Sequence, residues 1–161
     1  MTELKQKIIK LLQEDARYSY AQIAAALGES AATVEKAVKE LEKDGVILKY
    51  ATLVSSAVSG GVQAIIEVKV APQKLKGFDS YAEDLYNFPE VKDLMLVSGG
   101  FDLFITVDSP DLAGVAKFIS EKLSVIDGIV GVATHFILKK YKVDGAVVSV
   151  SDEGKRQIIQ A

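Results

Sequence analysis

Two lysines three residues apart, Lys36 and Lys39, follow two hydroxyls, Ser30 and Thr33, in a stretch that reads as a single helix. The spacing places the hydroxyls at the helix start and both ammonium groups on its exposed face. Such a set can hold the oxygens of a phosphate backbone, with donors at a helix N-terminus and cations alongside. Arg17 lies upstream, next to the start of the preceding helical stretch, and can touch a further phosphate. A second reading fits the same residues. Glu35 and Lys39, and Lys36 and Glu40, stand at i, i+4, so the lysines also suit a solvated, ion-paired helix face, and Arg17 suits an ordinary surface position.

The elements that would position these groups run from Ser19 to Ile47, SYAQIAAALGESAATVEKAVKELEKDGVI. Ser19 followed by Gln22 has the spacing of a capping box and opens a helix. Ile23, Ala24 and Leu27 give that helix one apolar stripe, and Gly28 is placed to end it. Ser30 caps a second helix, in which Val34, Val38 and Leu41 recur at i, i+4 and i+7. Gly45 is placed to end the second helix, and Val46 to Tyr50 suits a short strand. Another helix precedes the pair over residues 2–13, burying Leu4, Ile8, Leu11 and Leu12. Two helices with a tight glycine turn could be any helical hairpin. A preceding helix and a wing-like strand directly after it favour a winged helix-turn-helix, spanning residues 1–50.

Composition limits the alternatives. Among 161 residues 49% are apolar, enough for a core, and no apolar run approaches the roughly 20 residues of a membrane span. The opening MTELKQKIIK lacks the features of a signal peptide, so a cytoplasmic protein with no membrane partner is expected. There is no cysteine and one histidine, His135, so neither a disulfide frame nor a thiolate metal site can form, and no cofactor is expected. No phosphate-cradling loop, nucleophile elbow or paired-carboxylate motif supports an enzyme. Net charge is −3, which does not by itself announce a nucleic-acid binder.

Residues 51–61, with VSSAVSGG, read as a linker. From Val62 the hydrophobic period changes from 3.6 to 2: Val62, Ala64, Ile66, Val68 and Val70 alternate with Gln63, Ile65, Glu67 and Lys69. Phe78, Ala82 and Leu85 then lie at helix spacing, and residues 91–98 form a strand. Gly99-Gly100 is a hairpin turn signal, and 101–108 the next strand. Ser109-Pro110 supplies a cap and a first-position proline for a helix burying Leu112, Val115, Ala116, Ile119 and Leu123. Asp127-Gly128 turns the chain into a last strand, Ile129 to Lys140. The order β-α-β-β-α-β over residues 62–142 is the ferredoxin-like arrangement, with both helices on one sheet face. The whole is therefore an α+β chain, with a C-terminal extension over 143–161. Within it AVVSV suits an edge strand and DEGKRQIIQ a short helix.

The strands at 101–108 and 129–140 carry apolar or small residues in both rows. A sheet apolar on both faces needs two covers. With both helices on one face, a second subunit is the simplest cover for the other, which predicts at least a dimer.

The chain resembles the Lrp/AsnC family of bacterial and archaeal transcription regulators. The resemblance rests on ARYSYAQIAAALGESAATVEKAVKELEKDGVILKY in the N-terminal half. In the C-terminal half it rests on LVSGGFDLFITV and DGIVGVATHFILKKYK. It implies a winged helix-turn-helix that binds double-stranded DNA, joined to a βαββαβ domain that senses a ligand. It further implies sheet-to-sheet dimers that often assemble into tetramers or octamers. An amino acid or related small effector would bind near a subunit interface, at positions matching Gly99, Gly100, Asp102 and Thr134. The chemistry of those residues agrees: glycine N–H groups approach a carboxylate closely, Asp102 offers an acceptor for an ammonium, and Thr134 adds a hydroxyl. Apart from the resemblance, Gly99-Gly100 also serves as a plain tight turn and Thr134 as a good strand former.

The chain departs from the family pattern in its reading helix. Ala37 and Glu40 stand where the family is usually basic, and residues 1–50 carry eight basic and eight acidic side chains. Phosphate neutralisation supplies most non-specific DNA affinity, so a single neutral head should bind weakly and gain from linked heads. Two readings follow: a ligand-responsive DNA-binding regulator, or a metabolite-binding oligomer whose DNA head has weakened. A related group with this architecture decarboxylates sirohaem using histidine and arginine. With only His135, Arg17 and Arg156 the chain fits that activity poorly.

Overall fold

The computed structural model describes residues 1–54, 60–71 and 77–148. The chain divides into two compact units, Met1–Leu53 and Val54–Ala161.

The first unit is three helices, α1 (Glu3–Glu14), α2 (Tyr20–Leu27) and α3 (Ala31–Lys43). Each begins where a hydroxyl satisfies an orphan N–H. Thr2 accepts from Lys5, Ser19 from Gln22 and Ser30 from Thr33. The Ser19–Gln22 capping box is complete, with the Gln22 side chain accepting from the Ser19 backbone N–H at 2.9 Å. Gly28 ends α2 at φ 71°, a left-handed conformation that costs glycine nothing and swings the chain into α3. Ile8, Ile23, Ala24, Val34, Ala37, Val38 and Leu41 form the core. Ile8 and Val34 are wholly buried, and truncating a residue such as Ile8 to alanine costs about 2–5 kcal/mol.

Two expectations for this unit need correction. No strand forms over Val46–Tyr50. A strand needs a ladder partner, and none pairs with these residues among those described; only Ile47 packs on the helices, while Val46, Leu48 and Tyr50 are exposed. Ala37 is a core residue at 7% exposure, three residues from Val34 on the same inward stripe. Ala37 therefore belongs to the inward stripe and not to the exposed face of Lys36 and Lys39.

The second unit is a four-stranded antiparallel sheet in the order β2-β3-β1-β4. Its strands are β1 (Val62–Val70), β2 (Val91–Leu96), β3 (Leu103–Ser109) and β4 (Ile129–Phe136). Helices α4 (Phe78–Tyr86) and α5 (Leu112–Phe118) supply the rest of the core, giving the ferredoxin-like α+β arrangement. The predicted alternation in β1 is observed: Ala64, Ile66, Val68 and Val70 are buried together with Leu103, Ile105 and Val107 of β3. From the helices come Tyr81, Leu85, Val115 and Phe118, and Phe118 meets Phe88 edge to face at 5.7 Å.

The helix after β3 differs from its expectation. Its cap is Asp111, whose carboxylate accepts from Gly114 N–H at 2.7 Å, whereas Ser109 remains in β3 opposite Val62. The buried residues are Val115, Phe118 and Leu123, while Leu112 and Ala116 are exposed. A π-helical turn over Ile119–Leu123 widens the winding, which brings Leu123 into phase with Phe118 five residues before it. The last strand also stops early, at Phe136. Ile137 N–H still donates to Gln63 at 2.9 Å, but β1 begins at Val62, so among the described residues 138–140 have no strand to pair with. Beyond them β5 (Lys142–Val143) and β6 (Ala146–Val147) form a separate hairpin rather than an edge of the main sheet. The helix expected over DEGKRQIIQ lies outside the described residues.

Candidate functional site

In the first unit the candidate DNA-contacting residues fall into two groups. Ser30 and Thr33 sit at the start of α3, but their hydroxyls are joined at 2.8 Å and Ser30 also caps the helix. Lys36 and Lys39 lie on the exposed face. They line a shallow groove of about 370 Å³ together with Ala32, Glu35, Glu40 and Lys43. Ala32, Lys36, Lys39 and Lys43 recur at helix spacing, so the outward stripe carries three cations. Lys43 has no distinguishing signal in the sequence because it lies in the last turn, where a cation also complements the helix dipole.

Charges already present around these cations temper the site. Lys39 is tied to Glu35 at 2.7 Å, which raises its pKa. Arg17 is gripped by Asp15 through its Nε at 3.0 Å and a terminal nitrogen at 2.8 Å, and Asp15 is pulled down to about 2 by these bonds. Lys36 has no ion pair among the described residues. Glu40 bonds Lys5 of α1 at 2.9 Å, so its acid is turned toward α1. On the flank, Tyr50 donates to Glu42 at 2.9 Å, and burial followed by that bond pushes its phenol up to about 12.

In the second unit Gly99 and Gly100 lie in the turn between β2 and β3, which closes where Val97 N–H donates to Asp102 at 2.9 Å. A Cβ built on either glycine would meet nothing within 4 Å, so the turn backbone stands open to an approaching ligand. Asp102 is fixed. Its N–H donates to Val68, one carboxylate oxygen accepts from Val70 N–H at 2.8 Å, and the other from Lys69 Nζ at 3.1 Å. The Val70 bond first, and Lys69 after it, hold the Asp102 carboxyl below its ordinary value. A cleft of about 250 Å³ between α4 and β2 is lined by Phe78, Asp79, Ala82, Tyr86, Leu94, Leu96 and Leu103.

Thr134 does not join this group within one chain. It pairs with Ile66, whose side chain is in the core, and therefore faces the helices. Asp102 faces the other side, with Lys69. Sheet spacings put the two residues on the order of 14 Å apart across β1. Lys69 carries no mark of its role in the sequence. Its place beside Asp102 is set by the β1–β3 register, and no local pattern signals it. The face it shares carries Ile65 and Glu67 of β1, Phe104 and Thr106 of β3, Met95 of β2 and Ala133 and His135 of β4, with His135 Nε2 3.6 Å from Glu67. Among its described residues this unit supplies no element that covers the face. No described helix is long and apolar enough to cross a membrane.

Comparison with known proteins agrees with both halves of this geometry. Residues 1–47 match the family model described as winged helix-turn-helix DNA-binding, and residues 63–147 that of the Lrp/AsnC ligand binding domain. The uncharacterized HTH-type transcriptional regulator YugG of Bacillus subtilis is 40% identical over 99% of this chain and 98% of its own. Among solved structures, a Neisseria meningitidis transcriptional regulator in complex with L-Met has a TM-score of 0.71 at 26% identity. The match covers 89% of this chain and 93% of that one. An AsnC family transcriptional regulator from Agrobacterium tumefaciens also has a TM-score of 0.71 at 26% identity, over 93% and 96%. With both family models in the expected order and a relative matched end to end, this chain belongs to the Lrp/AsnC family of DNA-binding transcriptional regulators, which act by binding rather than catalysis.

Proposed function

We propose that this regulator reads its DNA with the outward stripe of α3 and responds to an amino acid or a closely related metabolite bound at the turn holding Gly99, Gly100 and Asp102. The observation that carries the reading is the open glycine backbone beside a carboxylate fixed by Val70 N–H. It offers donors for a carboxylate and an acceptor for an ammonium in one place. The Neisseria meningitidis regulator, solved as a complex with L-Met, supports the ligand class.

The working form is an oligomer, at least a dimer. The sheet face of Ile65, Phe104, Met95 and Ala133 is half apolar, and Met95 is 49% exposed. A second copy provides the cover that such a face calls for. Thr134 faces the helix side, so a site uniting it with Asp102 draws on more than one subunit. Ser30, Thr33, Lys36 and Lys39 are the proposed DNA contacts, with Arg17 after it leaves Asp15.

The test is fluorescence anisotropy of the full-length protein on DNA from upstream of its own gene and on a scrambled duplex, across a salt series. Specific binding with a shallow salt slope per head, near −0.9 for each phosphate neutralised, is expected. The Asp15–Arg17 and Glu35–Lys39 pairs favour one rival, a metabolite-binding oligomer with a weakened head. Loss of all sequence preference at low salt decides for that rival.

A further inference from the structure

We infer that Lys69 and Asp102 form a two-charge receptor for a zwitterion, Lys69 taking the effector's carboxylate and Asp102 its ammonium. The inference rests on the turn at Gly99 and Gly100 being the effector site.

Four observations carry it. The two groups are ion-paired at 3.1 Å beside the turn, at the end of the sheet face that carries Phe104 and Met95. They differ in how they are held. Asp102 is 18% exposed and pinned through its second oxygen by Val70 N–H, whereas Lys69 is 42% exposed and, among the described residues, is held at the end of its flexible stem by Asp102. Lys69 has room, because the residue opposite it on β4 is Gly131, where a Cβ would stand 3.3 Å from the Lys69 Cβ. The other acid on this part of β1, Glu67, lies beside His135 of the neighbouring β4, which leaves Asp102 as the partner of Lys69.

An α-amino acid carries an ammonium and a carboxylate on one carbon. Presented to this pair in the opposite order, it closes a ring of four alternating charges. The internal ion pair becomes one side of that ring, and two charge-assisted contacts to the ligand are added while Asp102 stays in place. The receptor and the ligand are each neutral overall, so binding should depend little on salt. A ligand lacking either charge leaves Lys69 or Asp102 without its new partner, and a site built for a polar group rejects such an analogue strongly.

The experiment is titration calorimetry on the full-length protein with the proteinogenic L-amino acids. The tightest is then compared with its carboxamide, which lacks the carboxylate, and its 2-oxo acid, which lacks the ammonium. In Lys69→Met the affinity for the amino acid should fall about ten-fold. The preference over the carboxamide should disappear, the preference over the 2-oxo acid should persist, and Lys69→Arg should restore most of the binding. Thermal melts of each variant establish that the fold is intact. Unchanged or tighter binding by Lys69→Met, with Asp102→Asn still weakened, overturns the role of Lys69 and leaves the effector site standing. Binding that neither substitution affects, or no binding by the wild type, overturns both.

Discussion

Glu40 of α3 bonds Lys5 of α1 at 2.9 Å, and that contact changes what the neutral charge of the first unit means. Lys5 holds the Glu40 carboxyl below its ordinary value, and Asp44 lies 4.0 Å from the same ammonium. Part of the acid in α3 is therefore directed at α1, and Lys36, Lys39 and Lys43 are left along the outward stripe. Glu40→Arg should act in two ways. It adds a cation beside the groove proposed to face DNA, so binding to every sequence should tighten alike, because a phosphate contact carries no sequence information. It also sets an arginine against Lys5, so the melting temperature should fall. Anisotropy on specific and scrambled duplexes, with thermal melts alongside, checks both effects; tightening on the specific duplex alone would show that position 40 reads bases.

Lys39 offers a cleaner measurement, since its partner lies on the same helix. Glu35 holds it at 2.7 Å, and both side chains are substantially exposed. Glu35→Gln removes the acid and keeps the shape. Non-specific DNA affinity should rise, and the salt slope should steepen by up to about 0.9, the value of one further phosphate contact. Adding Lys39→Ala to that variant should cancel the gain. A gain that persists in the double variant would mean that Glu35 acts through general repulsion of DNA and not by holding Lys39.

The parts of this structure that were legible in the sequence are the local ones. Ser19, Gln22, Gly28 and Ser30 act within one helical turn of themselves, so their types and spacing were enough. The inward row of β1 follows from its alternation, whereas in β3 both rows are largely apolar and the inward one is set by pairing with β1. What escaped depends on distant partners. Val46–Tyr50 has the composition of a strand but no ladder to join. Leu138 to Lys140 continues the pattern of β4 past the start of its neighbour. Phe118 carries no signal at the 3.6-residue period because the π turn after it breaks that period. The candidate effector residues show the same limit: Gly99, Gly100 and Asp102 are sequence neighbours, but the face on which Thr134 stands, and the nearness of Lys69 to Asp102, are fixed only by register.

Gly128 and Tyr81 test the packing at one end of the sheet. Gly128 has φ 91°, and a Cβ there would stand 2.0 Å from the Tyr81 hydroxyl oxygen. Tyr81 is fully buried, with its hydroxyl 3.5 Å from the Ala71 carbonyl, while Ala71 N–H donates to Gly128 at 2.8 Å. Gly128→Ala combines backbone strain with overpacking and should cost about 2–5 kcal/mol. Tyr81→Phe removes the atom that clashes most. In chemical denaturation the Gly128→Ala, Tyr81→Phe double variant should therefore lose less than the sum of the two single losses. Strict additivity would mean that the cost at Gly128 is backbone strain alone.

Asp102 gives a prediction in pH whose sign follows from its bonds. Val70 N–H and Lys69 favour the charged carboxylate, so its folded pKa lies below the ordinary value of about 3.9. A carboxylate lowered in this way binds protons more weakly in the folded than in the unfolded state. Its contribution to stability is present above the ordinary value and is lost as pH falls through the folded one. Asp102→Asn keeps an acceptor for Val70 N–H but has no charge to titrate. The variant should melt below the wild type at pH 7, and the gap should narrow as the pH falls below about 4. Circular dichroism melts of both proteins between pH 7 and the acid limit of folding measure the gap. A gap independent of pH would mean that Asp102 stabilises the hairpin by hydrogen bonding alone, and a gap that widens in acid would reverse the assignment of its charge state.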